Sequence, residues 1–139
     1  MKTFLKFKTD YVTQANGCTI VEEEATVDLS KIRAFSVVMS IPVFKTAILA
    51  LFDNCDGKTI TFKAKGVAKC HPDDKFNERK GFHLAQSRAV YKIYKDYHKF
   101  LEYITDTIYK MIYEDIENLY INSQDLMYET ADHIKYDFK

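Results

Sequence analysis

All four glycines and both prolines of this 139-residue chain lie before Phe82, and neither residue type occurs from Phe82 to Lys139. Nothing in that second stretch obliges the backbone to turn. Its apolar residues recur at three- and four-residue steps, from Ile93 through Tyr97, Phe100, Leu101, Ile104, Ile108, Met111, Ile112 and Ile116 to Leu119, which is the spacing of one helix face. A helix of about 40 residues runs about 60 Å at 1.5 Å per residue, longer than a domain of this size is wide. Asn122-Ser123-Gln124 is the weakest point, so the sequence predicts a break there and a short terminal helix from about Asp125 to His133. A helix that overhangs its own sheet must cover its apolar stripe with something. A second copy of the chain is one answer, and a terminal helix folded back on the long one is the other. Self-association is the preferred expectation.

Before Pro72 the period is two. Residues 3–14 and 18–29 read as an antiparallel hairpin around Asn16-Gly17, a strong two-residue turn signal. In its second arm Thr19, Val21, Ala25, Val27 and Leu29 share one parity. "IRAFSVVMSI", Ile32 to Ile41, is β-branched and apolar and reads as a third strand. Over 42–53 a short helix is predicted, with Ser40 as cap, Pro42 in the first turn and Asp56-Gly57 ending it, a strand being the alternative. "KTITFKAKGVAKC" alternates again, with Ile60, Phe62, Ala64 and Gly66 on one face and Lys63, Lys65, Val67 and Lys69 on the other. The expectation is therefore one α+β domain over 1–139: an antiparallel sheet of about four strands within 1–75, then helix over 77–139.

Charge and cysteine narrow the function. Twenty basic and twenty acidic residues cancel, so the chain as a whole lacks the positive field that non-specific nucleic-acid binding needs. Cys18, Cys55 and Cys70 are odd in number and widely spaced, which fits thiols in a reducing compartment better than a disulfide framework or a zinc site. The first eight residues do not read as a secretion signal, and Thr46 to Phe52, the longest apolar run, is too short to span a bilayer. A cytoplasmic protein with no membrane partner is expected. Nine of the ten tyrosines follow residue 90, where they serve half-buried helix faces or an interface. Enzyme chemistry finds no support: there is no HExxH, GxSxG, Gly-rich phosphate loop or metal-ligand spacing, and no cofactor is implied.

The stretch "KCHPDDKFNERKGFHLAQSRA", Lys69 to Ala89, concentrates what chemistry there is. Pro72 should stop the strand, and Asp73 or Asp74 should cap the helix beginning near Asn77. Lys69 and His71 share the strand's basic parity and lie close to the free N–H groups of that helix, where an anion is welcome. Arg88 falls on the stripe of Leu84, Ala85 and Ala89, where a guanidinium needs an anionic partner. That partner is a hairpin carboxylate (Glu22, Glu23, Glu24 or Asp28), a ligand phosphate, or, failing both, the side chain reaches solvent.

Phe62 to Ala89, with its run "FKAKGVAKCHPDDKFN" followed by G-F-x-L-A-x-x-R-A, resembles the strand-to-helix core of small phage proteins that inhibit Thoeris immunity. Those proteins are non-catalytic sponges that sequester cyclic ADP-ribose isomers in pockets at a subunit interface. The same rhythm is similar to small bacterial domains with a double-stranded-RNA-binding-like fold. The matching core is about a fifth of the chain. The sponge resemblance implies an antiparallel sheet on helices, assembled as a homodimer or an oligomer of dimers in the host cytoplasm. It implies that His71 and Arg88 line the pocket with a nearby aromatic ring, Phe76 or Phe82, and Phe62 is the third aromatic residue of this core. Arg33 is the candidate from outside it. Two other readings stand beside this one: a protein–protein inhibitor that uses the tyrosine-rich helix, and a double-stranded-RNA binder. The last is disfavoured because "EEE" and the acid-rich helix offset the basic strand.

Overall fold

The structure, a computed structural model, describes residues 4–71, 75 and 77–137. Two strands, β1 (Lys6–Ala15) and β2 (Cys18–Asp28), form the hairpin. Its turn residues Asn16 and Gly17 both have positive φ, 52° and 71°, as a two-residue turn matched to strand twist requires. A 3-10 turn, Leu29–Lys31, leads to α1 (Arg33–Met39) and α2 (Pro42–Leu51). Strand β3 (Thr59–Lys69) then pairs antiparallel with β2, giving the sheet order β1-β2-β3. Helix α3 runs from Glu78 to Asp137. The chain divides into two compact units, Met1–Phe100 and Leu101–Lys139.

In the first unit the alternation of β2 carries the core. Thr19, Val21, Glu23, Ala25 and Val27 are buried, and Ile60, Phe62, Gly66 and Ala68 of β3 face the same way. Ala85, Ala89 and Ile93, at four-residue steps on α3, are fully buried. The helix seats where both sides are small. A Cβ on Gly66 would collide with the carbonyl of Ala85 and stand 2.7 Å from the amide nitrogen of Ala89, so this glycine permits the close approach of helix to strand. Farther along, Phe100 stacks with Phe35 of α1 at 5.6 Å and meets Phe52 and Phe62 edge-on at 4.9 and 6.3 Å. Rings offset or tilted in this way add about 0.5–1.5 kcal/mol per pair beyond the apolar area they bury.

Two predicted elements differ. The third strand expected over Ile32–Ile41 is helix α1, so the sheet has three strands. Val37 and Val38 favour a strand only through side-chain packing on a pleated surface. Here Phe35 and Val38, three residues apart, are the buried pair, and that is a helical spacing. Ser40 closes α1, its hydroxyl donating to the Val37 carbonyl at 2.6 Å, rather than capping α2, which starts on Pro42 without a side-chain cap. The break at Asn122-Ser123-Gln124 is also absent, and α3 continues to Asp137 with no separate terminal helix. Asn and Ser each cost only a few tenths of a kcal/mol relative to Ala in a helix, too little to stop one that lacks Gly and Pro.

In the second unit, Leu101–Asp137 is helix throughout. Its large apolar and aromatic side chains are exposed at Ile112, Ile116, Leu119, Met127 and Ile134, and at Tyr109, Tyr113 and Tyr120. Tyr109 and Tyr113 stack on each other at 5.3 Å.

Candidate functional site

The handover from β3 to α3 is built by three tethers. The Cys70 amide donates to the Gly17 carbonyl at 2.8 Å, fixing the strand end to the hairpin turn. Gln14 Nε2 donates to the Glu78 carbonyl at 3.2 Å, drawing β1 to the helix start. Asn77 caps α3, its Oδ1 accepting from the Lys80 amide at 3.1 Å. Asparagine is among the best N-caps because its short side chain reaches an orphan amide of the first turn. The expected stop at Pro72 and caps at Asp73 or Asp74 lie outside the described residues, as does Phe76.

These tethers leave a groove of about 420 Å³ between the end of β3 and the first turns of α3. Ala68, Gly81 and Leu84 line its apolar side, and Lys69, Lys75 and Lys80, with His71, its polar side. Lys69 and His71 are thus brought together as the sequence indicated. Lys75, Asn77 and Lys80 join them, and only Asn77's place at the helix start was legible.

Arg88 lies elsewhere. With Val67, Ser87, Tyr91, Lys92 and Lys95 it lines a second groove of about 470 Å³. The expected stripe of Leu84, Ala85, Arg88 and Ala89 is split: the alanines are buried, whereas Leu84 and Arg88 are exposed. Arg88 Nη1 donates to the Val67 carbonyl at 2.5 Å, and one turn on Lys92 Nζ donates to the Lys65 carbonyl at 2.7 Å. Two cations on one helical ridge therefore cap alternate carbonyls of an edge strand. Asn54 does the same farther along, donating from Nδ2 to the Thr61 carbonyl while its own carbonyl accepts from the Thr61 amide. Covered in this way, the edge is a poor template for a foreign strand.

The hairpin carboxylates considered for Arg88 are engaged by other groups. Glu24 pairs with Lys63 at 3.8 Å and Glu22 with Lys65 at 3.7 Å, each directly across the β2–β3 ladder. Lys65 also lies over the Tyr11 ring at 5.6 Å, and the Tyr11 hydroxyl and Glu22 hold its ammonium above the ordinary lysine range. Glu23, 1% exposed, accepts on Oε1 from Thr9 Oγ1 at 2.5 Å and from Gln86 Nε2 at 3.1 Å. This buried carboxylate joins β1, β2 and α3. Its parity with Val21 and Ala25 was the available signal, masked by its place in a run of three glutamates.

Phe82 packs against the buried cluster of Val21, Ala68 and Ala85, with its edge toward His83, and lines neither groove. Arg33 is exposed at the start of α1 and lines neither groove either. Among the described residues no three His, Cys, Asp or Glu side chains cluster to hold a metal, and none of the three cysteines is in a disulfide. No single helix among them is long and apolar enough to cross a membrane.

Charge is unevenly divided. Residues 1–100 hold 17 Lys and Arg against 11 Asp and Glu, a net +6, and residues 101–139 hold 3 against 9, a net −6. The neutral total therefore conceals a basic unit carrying both grooves. Comparison with known protein families, with curated proteins and with solved structures found no match.

Proposed function

We propose that the protein is a non-catalytic binder that sequesters an anionic nucleotide of the cyclic ADP-ribose type, as a phage anti-defence protein would in the host cytoplasm. The observation that carries this reading is the groove at the β3–α3 corner. Lys69, Lys75 and Lys80 supply positive charge around the first turn of α3, whose amides carry the positive end of the helix dipole. A phosphate there meets cations and N–H donors together, while Ala68 and Leu84 offer an apolar wall for the ribose. The resemblance of Phe62–Ala89 to Thoeris-inhibiting sponges supplies the ligand class. In this reading the protein works as a self-associated assembly.

The test is native mass spectrometry after incubation with cyclic ADP-ribose isomers, followed by release of the ligand by heat. Bound mass and recovery of intact, active nucleotide support sequestration. Recovery of a product that accumulates with time and protein indicates catalysis instead.

A second reading is favoured by the exposed tyrosines and isoleucines of Leu101–Asp137. It makes the protein an inhibitor or regulator of another protein, docking through that helix. The two separate in the same experiment, since a regulator of this kind binds no nucleotide.

A further inference from the structure

The apolar seam of the second unit follows a regular rule. From Ile108 it steps by 4, 4, 3, 4, 4, 3 and 4 residues to Ile134, with Ser123 and Thr130 the two polar positions among its eight. An eleven-residue repeat of this kind has 3.67 residues per turn, close to the 3.6 of a straight α-helix. The seam therefore stays on one face along its whole length. Ile112, Ile116, Leu119, Met127 and Ile134 on it are between 54% and 69% exposed. With the flanking tyrosines they present on the order of 1,000 Å² of surface, against about 800 Å² per partner in a standard interface. Glu114, Glu117, Asp125 and Asp132 lie on the opposite side of the helix.

We propose, building on the self-association in the reading above, that this seam is covered by the same segment of a second copy, packed antiparallel about a centre near Ile121. Three features select that occupant and that direction. The seam is nearly symmetric about this centre, so Ile108 of one copy meets Ile134 of the other, Ile112 meets Thr130, and Leu119 meets Ser123. Asp106 and Lys135 lie on the same flank, beside Tyr113 and Tyr120. An antiparallel pair sets each against the other across the seam, whereas in a parallel pair like flanks fall on opposite sides of the seam and the two charges do not meet, and such flanking charges decide orientation. Antiparallel helices also oppose their dipoles. The two segments, each of net −6, keep Glu114, Glu117, Asp125 and Asp132 on the far sides of the pair, where salt screens their repulsion.

The test uses the full chain carrying Ser123→Cys, Ile108→Cys or Ile134→Cys, treated with a short bismaleimide, with the wild type as baseline for the three native thiols. All three sites are in the second unit, and Ser123 and Ile134 are exposed. Ser123→Cys should link to itself. Ile108→Cys and Ile134→Cys, when co-expressed, should link to each other at least tenfold faster than either links to itself, since like sites are about 39 Å apart along the axis. Light scattering on the same samples separates the two ways of failing. A folded monomer with baseline linking overturns the self-association itself. An assembly in which Ile108→Cys links to itself, or in which no site links above baseline, overturns the antiparallel seam.

Discussion

Replacing Gly66 by alanine should unseat α3 from the sheet, and the structure sets the scale of the loss. The added Cβ would overlap the Ala85 carbonyl oxygen and stand 2.7 Å from the Ala89 nitrogen. Both obstacles are backbone, so no rotamer change relieves them. To restore ordinary contact the helix must withdraw by more than an ångström, which loosens Ala85, Ala89 and Ile93, all fully buried. Overpacking of a tight seam costs about 1–3 kcal/mol, and the partial cavity opened beside it adds to that. We expect a loss of about 3 kcal/mol in urea unfolding, with the m-value unchanged. Gly57→Ala is the control: Gly57 has a φ of 97°, and a Cβ there would make only an ordinary contact, 3.7 Å from the Lys45 side chain, so backbone strain alone should cost about 1 kcal/mol. The two variants should therefore rank Gly66 well above Gly57. A Gly66→Ala protein within 1 kcal/mol of the wild type would refute the seating of helix on strand. The corner groove would fall with it, because its two walls are β3 and α3.

Three other perturbations test separate joints. Glu23→Ala takes the shared acceptor away from the exposed Thr9 and the half-buried Gln86 and should cost about 1–2 kcal/mol by denaturant unfolding, while Glu23→Gln, which keeps an acceptor, should cost clearly less. Arg88→Ala removes an edge-strand cap and should lower stability by about 1 kcal/mol, with Arg88→Lys recovering part of it; an unchanged melting temperature would show the Val67 contact to be idle. The Asp56 carboxylate is held below its ordinary value of 3.8, first by the Thr59 amide and then by that of Lys58. A depressed folded value means that its contribution is complete above 3.8 and is lost as pH falls through the lower folded value. The gap in melting temperature between wild type and Asp56→Ala should thus be constant near neutrality and close below that value; a gap that widens in acid would contradict the assignment.

The parts of the fold legible in the sequence were those where one period dominates. The Asn16-Gly17 hairpin, the alternation of β3 and the long helix each follow from a single local rule. α1 was misread because "AFSVV" satisfies a strand's composition and a helix's spacing at once, and only burial of Phe35 and Val38 together decides between them. Asn122-Ser123-Gln124 was overweighted because poor helix formers mark ends only where a stronger breaker or a cap supports them. At the site, Lys69 and His71 were readable from strand parity. Arg88 was assigned to the wrong side of the stripe because Ala85 and Ala89 define a seam one residue wide, set by Gly66 on another element. No helical period within α3 could reveal that. The division of charge into a basic and an acidic unit needed only a count in two halves, which the neutral total obscured.

The measurement that bears most directly on the proposed function is titration calorimetry of cyclic ADP-ribose isomers into the wild type and into Lys69→Glu/Lys80→Glu, with circular dichroism confirming that both are folded. Reversing two exposed charges in the corner groove should leave stability nearly unchanged and weaken binding by at least a hundredfold, about 2.7 kcal/mol. Binding by the wild type that survives the double reversal would place the ligand elsewhere on the molecule. No binding by the wild type at all would contradict the nucleotide reading itself.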